Sequence, residues 1–217
     1  MKKHIRFVSA MLLCVVFGLM VSSCKKGDGD PFFSLYTRKA RITNEWKMSS
    51  FNELFTYQNI RKETTYDGAS KKVDWQTTVS WPTPTPHDTV FYSDTTYTGT
   101  ITNNIKSNGT YNYIESFTED WTQIVRNYEI TGLWYFMGAN QQNGFKNKEL
   151  VSMQVTNFVY NPTAGSAYTT IHQGEHTLDV YEIYALKSNE LVLKLNRTET
   201  INFVKYTTTC TYTYKPK

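Results

Sequence analysis

Regular alternation of apolar and polar residues is the main pattern along this chain. In the segment 72–81 the odd positions are Val, Trp, Thr, Val and Trp, and the even positions are Lys, Asp, Gln, Thr and Ser. A period of two residues is typical of a β-strand with one buried face. Leucine at every second position of residues 191–195 repeats the pattern near the C-terminus. The chain is therefore predicted to be all-β.

Turn signals divide the chain into ten predicted strands. Asp67-Gly68 and Asn143-Gly144 favour the positive φ angles that tight hairpins need, and the proline-rich stretch 82–86 is predicted as a loop. One short N-terminal helix is predicted over Phe33 to Arg41, with Ser34 as its N-cap. The predicted strands span residues 42–50, 58–67, 71–81, 88–102, 110–118, 122–137, 148–160, 177–187, 190–198 and 200–214.

Sequential antiparallel strands with only one short helix to cover them must close on themselves. The two solutions are a barrel and a sandwich. The chain shows no repeat of fixed period and no second composition regime, so residues 33–217 are predicted to form a single domain.

The N-terminus has the organisation of a secretory leader. A basic start is followed by an uninterrupted apolar run from Phe7 to Val21, and the exit Val21-Ser22-Ser23-Cys24 resembles the lipobox of bacterial lipoproteins. We therefore predict a signal peptide over 1–23, lipidation of Cys24 and a flexible tether over 24–32. The predicted location is the cell envelope, as an outer membrane lipoprotein that faces the periplasm or the outside. The alternative is ordinary secretion with Cys24 as a free thiol.

Charge and cysteine content restrict the partners and the chemistry. The leader holds three of the 23 basic residues and none of the 19 acidic ones, so the rest of the chain has 20 basic and 19 acidic residues. It contains no basic run that would indicate nucleic-acid binding. Cys14 leaves with the leader and Cys24 is predicted to carry lipid, so Cys210 cannot form an internal disulfide. Cys210 is predicted to be a small buried residue.

Several segments resemble lipocalin-like bacterial lipoproteins. The segment Lys39–Met48 resembles their entry strand, with Asn44 where glycine is expected before Trp46, and other strand and turn segments are similar. The resemblance implies an up-and-down, calyx-like antiparallel barrel whose closed end is plugged by Trp46. In such a barrel, four aromatic residues would either line an open, ligand-binding cavity or fill the interior: Trp75, Trp81, Tyr113 and Trp134.

Motifs for catalysis are scarce. The stretch His172 to His176 spells H-x-x-E-H, but it lies between segments with strand character and contains a glycine, so a solvated turn is favoured over a zinc-dependent hydrolase. No phosphate-binding loop, nucleophile elbow or Cys/His pair is present. We therefore expect no enzyme activity, no cofactor and no metal.

Two functions remain as hypotheses. The first is a lipid-anchored envelope protein that binds a small apolar or glycan-type ligand in its barrel. The alternative is a non-catalytic interaction protein, with a filled barrel, whose exposed tyrosines contact another envelope protein or a polysaccharide. Asp88-Thr89-Val90 and Asp94-Thr95-Thr96 also resemble a bacterial O-glycosylation pattern.

Overall fold

A computed structural model describes residues 37–81, 87–139, 142, 144–145, 149–165, 167–171, 178–201 and 204–217. Within these ranges a short helix, α1 (Arg38–Ile42), precedes eleven strands. The strands are β1 (Glu45–Tyr57), β2 (Ile60–Tyr66), β3 (Ser70–Trp81), β4 (His87–Ile105), β5 (Thr110–Glu119), β6 (Val125–Phe136), β7 (Leu150–Pro162), β8 (Tyr168–Ile171), β9 (Leu178–Leu186), β10 (Leu191–Ile201) and β11 (Val204–Pro216). In the described ranges, no helix is long and apolar enough to span a membrane.

Ten of these strands form a closed antiparallel barrel. The order is β6-β5-β4-β3-β2-β1-β11-β10-β9-β7, and β7 returns to pair with β6, so each strand lies beside its neighbours in an up-and-down arrangement. The short strand β8 pairs with the C-terminal half of β7, whereas β9 pairs with its N-terminal half. The predicted all-β, up-and-down barrel with a short N-terminal helix is confirmed, and the sandwich is excluded.

The barrel has fewer strands at one end than at the other. At the start of β1, residues Glu45–Lys47 pair directly with Thr102–Asn104 of β4. From Phe51 onward β1 pairs with β2 instead, because the hairpin β2–β3 enters between β1 and β4. Barrel diameter grows with strand number. The barrel is therefore narrow at the end that carries α1 and wide at the opposite end, which we call the mouth.

The narrow end is closed by a packed apolar core. Ile42 and Trp46 have no exposed surface, and the Trp46 indole Nε1 donates a 2.8 Å hydrogen bond to the Ile42 carbonyl. The Arg41 guanidinium donates to the Leu186 carbonyl on the turn that follows β9. The predicted place of Trp46, as the plug of the closed end, agrees with this arrangement. Other core side chains at this end are Met48, Ile101, Ile105, Trp134, Val151, Ile183, Leu191 and Leu193.

Several boundaries differ from the sequence prediction. Residues 33–36 lie outside the described ranges, and the described helix begins at Arg38 with Thr37 as its N-cap, since Thr37 Oγ1 accepts a 3.1 Å hydrogen bond from the Ala40 amide. β1 continues to Tyr57 rather than ending near residue 50, because its second half forms the wide part of the barrel between β2 and β11. The predicted loop at 82–86 lies outside the described residues.

Candidate functional site: the barrel lumen

Three cavities follow one another inside the barrel from its middle to the mouth. The lower chamber, about 220 Å³, is lined by residues such as Asn103, Tyr111, Tyr181 and Tyr214. The middle chamber, about 300 Å³, is lined by residues such as Phe51, Glu53, Thr64 and Phe158. The upper chamber, about 210 Å³, is lined by Lys62, Lys71, Val73, Trp75, Tyr97, Phe117, Arg126 and Tyr128.

The chambers share their walls. Tyr113, Glu115, Ile130 and Tyr212 line both the lower and the middle chamber. The middle and upper chambers have a second set in common, formed by Lys62, Lys71, Val73 and Tyr128. The lumen above the closed core is therefore one stepped space that runs from the tyrosines of the lower chamber to the mouth.

Strand alternation explains why these side chains face the lumen. On β5 the residues Tyr111, Tyr113 and Glu115 are two positions apart, and each is paired across the sheet with a residue of β6 that has the same inward orientation. Gly132 lies opposite Tyr111, where a Cβ atom would lie 2.5 Å from Tyr111 Cε1 and 2.1 Å from the Gln154 carbonyl oxygen. The absence of a side chain at Gly132 leaves room for the Tyr111 ring.

Buried tyrosines surround the lower chamber. Burial raises the pKa of Tyr111 to about 12, and it raises the pKa of Tyr113, Tyr181 and Tyr214 as well. Burial also raises the pKa of Tyr212, whose ring meets that of Tyr181 edge-on at 5.9 Å between centroids. These phenols stay neutral at physiological pH and can offer O–H groups and ring faces to a bound molecule.

Three residues that line the lumen have a buried side-chain atom without a hydrogen-bond partner among the described residues: Asn103 Oδ1, Thr64 Oγ1 and Arg126 Nε. Asn103 lines the lower chamber, Thr64 the middle chamber and Arg126 the upper chamber. A buried polar group without a partner costs about 1 to 3 kcal/mol.

Ion pairs occupy part of the lumen wall. Lys71 Nζ lies 3.3 Å from Glu115 Oε2, and the Tyr113 hydroxyl donates a 2.5 Å hydrogen bond to the other oxygen of Glu115. Nearer the mouth, Arg126 Nη2 lies 2.8 Å from Glu119 Oε2, and this hydrogen bond lowers the pKa of the Glu119 carboxyl. Two of the three cations of the upper chamber are thus neutralised by carboxylates.

Aromatic rings lie beside the cations of the upper chamber. Lys62 Nζ is 5.2 Å from the centroid of the Trp75 ring, its partner across β2 and β3. Lys71 Nζ lies 4.0 Å from the centroid of the Phe117 ring. These distances are typical of cation–π contacts. The upper chamber therefore combines positive charge with apolar ring faces.

The structure places the four predicted aromatic residues in different surroundings. Tyr113 lines the lower and middle chambers, and Trp75 lines the upper chamber with 41% of its surface exposed. Trp134 packs in the closed core against Phe136 and donates a 2.8 Å hydrogen bond to the Lys106 carbonyl. The side chain of Trp81 lies outside the described residues. Ligand binding by these residues stays a prediction.

Sequence reasoning missed the charged residues of the lumen. Lys62 has the same strand parity as Thr64 and Tyr66, and Glu115 the same parity as Tyr111 and Tyr113, so both were readable as inward positions. A charged residue on an apolar strand face is the signal that points to a polar lumen.

The part of the chain that the structure describes contains no recognisable metal site. No group of three or more His, Cys, Asp or Glu side chains there is arranged to hold a metal ion. The H-x-x-E-H stretch at His172 to His176 and the predicted lipidation site Cys24 lie outside the described residues. Cys210 is buried, as predicted, and burial raises the pKa of its thiol to about 12.

A larger cavity, about 770 Å³, borders the outer wall of the barrel. Outward-facing residues of β1, β10 and β11, among them Asn52, Lys194 and Thr211, form its floor. Met137 and Phe145 of the β6–β7 connection border it, and much of that connection lies outside the described residues. We therefore take the lumen, whose walls are strands, as the candidate site.

Comparisons of the chain with protein-family models, with curated proteins and with solved structures find no match. The case for a function therefore rests on the lumen.

Proposed function

We propose that this protein is a non-catalytic, lipid-anchored envelope protein, of the lipocalin-like bacterial lipoprotein type, that holds one small amphipathic molecule in its barrel. The observation that carries the proposal is the stepped lumen, whose three chambers of about 220, 300 and 210 Å³ are lined by aromatic side chains and a few charged ones. Ligand sites are typically apolar cavities of a few hundred cubic ångströms with a few converging polar groups. Ring-bearing or hydroxyl-bearing molecules fit this combination.

The proposed anchor defines the direction of the mouth. Helix α1 caps the narrow end, and the chain before it leads back to Cys24. A lipid on Cys24 would therefore attach the barrel through its closed end and leave the mouth accessible. Cys24→Ser is expected to release the protein from membranes, and radiolabelled palmitate should label the parent protein alone.

Native mass spectrometry tests ligand binding. The chain from Lys25 onward contains every described strand, and we would purify it without unfolding from its own cells. We expect a native mass that exceeds the denatured mass by one reproducible small molecule. A native mass equal to the chain mass at every preparation would contradict ligand binding.

A lumen-filling variant supplies the matched comparison. Ile130→Trp places a large ring between the lower and middle chambers, because Ile130 lines both. Glu129→Trp makes the same change on the adjacent, exposed position of β6. The extra mass should disappear in Ile130→Trp and persist in Glu129→Trp. Retention in both variants would place the bound molecule outside the lumen.

The free edge of β4 favours a second candidate function, an interaction with another envelope protein. β4 pairs with β5 only from Tyr97 onward, so among the described residues the segment 89–95 has a strand partner on the β3 side alone. Phe91 and Tyr92 in this segment are 55% and 76% exposed. A long exposed edge with apolar side chains is suited to the addition of a strand from a partner.

Amide hydrogen exchange tests this second candidate. If a partner strand pairs with β4, the amides of residues 89–95 should exchange more slowly in native membranes than in the purified protein. Phe91→Lys should remove that protection, whereas Lys72→Glu on the neighbouring strand should leave it. Equal exchange in membranes and in solution would contradict the interaction.

A further inference from the structure

We infer that the lumen selects an anionic ligand, with its acidic group in the upper chamber beside Lys62 and its ring or apolar body in the chambers below. This inference rests on the proposed ligand-binding function and names the class of ligand.

The charges that line the upper chamber are all positive. Lys62, Lys71 and Arg126 contribute to its wall, and no Asp or Glu lines it among the described residues. Arg126 is paired with Glu119, and Lys71 is paired with Glu115 of the chamber below. Lys62 is different, since no described carboxylate oxygen lies within 4.0 Å of its Nζ. Its Nζ lies over the ring of Trp75 instead.

Lys62 is therefore the cation that an incoming anion can reach without displacing another partner. A cation beside an aromatic face, partly shielded from water, suits an acid group attached to an apolar body, because the ring contacts the body while the ammonium contacts the charge. A neutral ligand of the same shape would leave Lys62 unpaired.

The middle chamber fixes the orientation of the ligand. It is lined by two carboxylates, Glu53 and Glu115, as well as by the two ammonium groups of Lys62 and Lys71, so its formal charges cancel, whereas the upper chamber is lined by cations alone. An acidic group is therefore attracted more strongly in the upper chamber, whereas an apolar ring can pack against Phe51, Tyr128 and Phe158 in the middle chamber. The acidic group is therefore directed to the mouth and the body toward the tyrosines.

The experiment compares two nearly isosteric probes, 1-naphthaleneacetate and 1-naphthaleneacetamide, by isothermal titration. The chain from Lys25 onward is used after a cycle of unfolding and refolding, which removes any molecule carried from the cell. We expect the acid to bind at least ~10-fold more tightly than the amide, the size of effect that one charge-assisted hydrogen bond gives.

Three variants separate the charge of Lys62 from the fold. Lys62→Met should lower the affinity for the acid to that for the amide and leave the amide unchanged. Lys62→Arg should keep the preference. Lys72→Met is the control, because Lys72 lies on the outer face and pairs with Asp74 at 2.9 Å. Circular dichroism checks that each variant is folded.

Three outcomes of the titration would overturn the inference: equal affinity for acid and amide, a preference that survives Lys62→Met, or no binding of either probe. Equal affinity that is lost in Ile130→Trp would leave the proposed lumen function standing without its anion selectivity. An endogenous molecule of neutral charge, recovered by native mass spectrometry, would likewise overturn the inference and support the proposed function.

Discussion

Lys71 and Glu115 form an ion pair inside the barrel lumen, with 3.3 Å between Nζ and Oε2 and with side chains that are 15% and 20% exposed. The pair links β3 to β5. Glu115 also accepts a hydrogen bond from the Tyr113 hydroxyl. The pair separates a lower region of buried tyrosines from an upper region of positive charge. This salt bridge therefore lies at the boundary between the tyrosine-lined and the positively charged parts of the proposed site.

Removal of the Glu115 charge should destabilise the barrel. Glu115→Gln leaves the Lys71 ammonium in a largely buried position without its counter-ion, and we expect a loss of about 1 to 3 kcal/mol in the free energy of unfolding. Asp74→Asn is the matched control, because its partner Lys72 and its own side chain are 50% and 44% exposed. Exposed pairs contribute below about 1 kcal/mol. Urea unfolding of both variants checks the difference, and equal losses would show that the lumen does not shield the pair.

Alkaline pH should destabilise the protein through its buried tyrosines. Burial raises the pKa of Tyr111 to about 12 and raises the pKa of Tyr113, Tyr181, Tyr212 and Tyr214. A raised pKa means that the folded state favours the protonated phenol. This contribution is fully present below the pKa of about 10 in the unfolded chain, and it is lost as the pH rises toward 12 and beyond.

Tyrosinate absorbance measures this effect. In the folded protein, a group of tyrosines should ionise only well above pH ~10 or when the protein unfolds. In concentrated urea, where the chain is unfolded, all tyrosines should ionise at pH ~10. Unfolding free energies measured at a series of pH values should fall above pH ~10. A titration of the folded protein identical to that in urea would contradict the burial of the cluster.

Gly132 should not tolerate a side chain. A Cβ atom at this position would lie 2.1 Å from the Gln154 carbonyl oxygen and 2.5 Å from Tyr111 Cε1, so Gly132→Ala requires the β6–β7 pairing to shift. We expect a loss of about 1 to 3 kcal/mol or more, as for overpacked cores. Gly138→Ala is the control, since no atom of the described residues lies within 4 Å of its Cβ position. Similar melting temperatures for the two variants would contradict the close approach of β6 and β7.

Much of the fold was predictable because local patterns specify it. The alternation in residues 72–81 and the turn signal Asp67-Gly68 both depend on neighbouring residues alone, and each predicted strand overlaps one strand of the barrel. The widening of the barrel was not predictable, because it depends on where β1 stops pairing with β4 and begins pairing with β2. Register of this kind is set by contacts between residues distant in sequence.

The candidate site was predictable only in part. Tyr113 and Trp75 were found because large aromatic side chains at alternating positions indicate an inward face, and both line the lumen. Trp134 shows the same pattern, but it lies at the narrow end, where eight strands leave space for a packed core only. Lys62 was missed, because its lack of a counter-ion becomes visible only when strands from across the barrel are brought together.

Tyr113 and Trp134 should therefore separate ligand binding from stability. Tyr113→Phe removes a hydroxyl that faces the lumen and donates to Glu115. We expect a change in the affinity for the bound molecule, or in its mass, with a smaller effect on the free energy of unfolding than Trp134→Phe has. Trp134→Phe removes the 2.8 Å hydrogen bond to the Lys106 carbonyl and opens space in the core, so we expect a loss of about 2 to 4 kcal/mol with the lumen unchanged. Native mass spectrometry and urea unfolding of the two variants form the test. The result that would contradict this division is the reverse one, in which Trp134→Phe loses the bound molecule while its stability matches that of the parent protein.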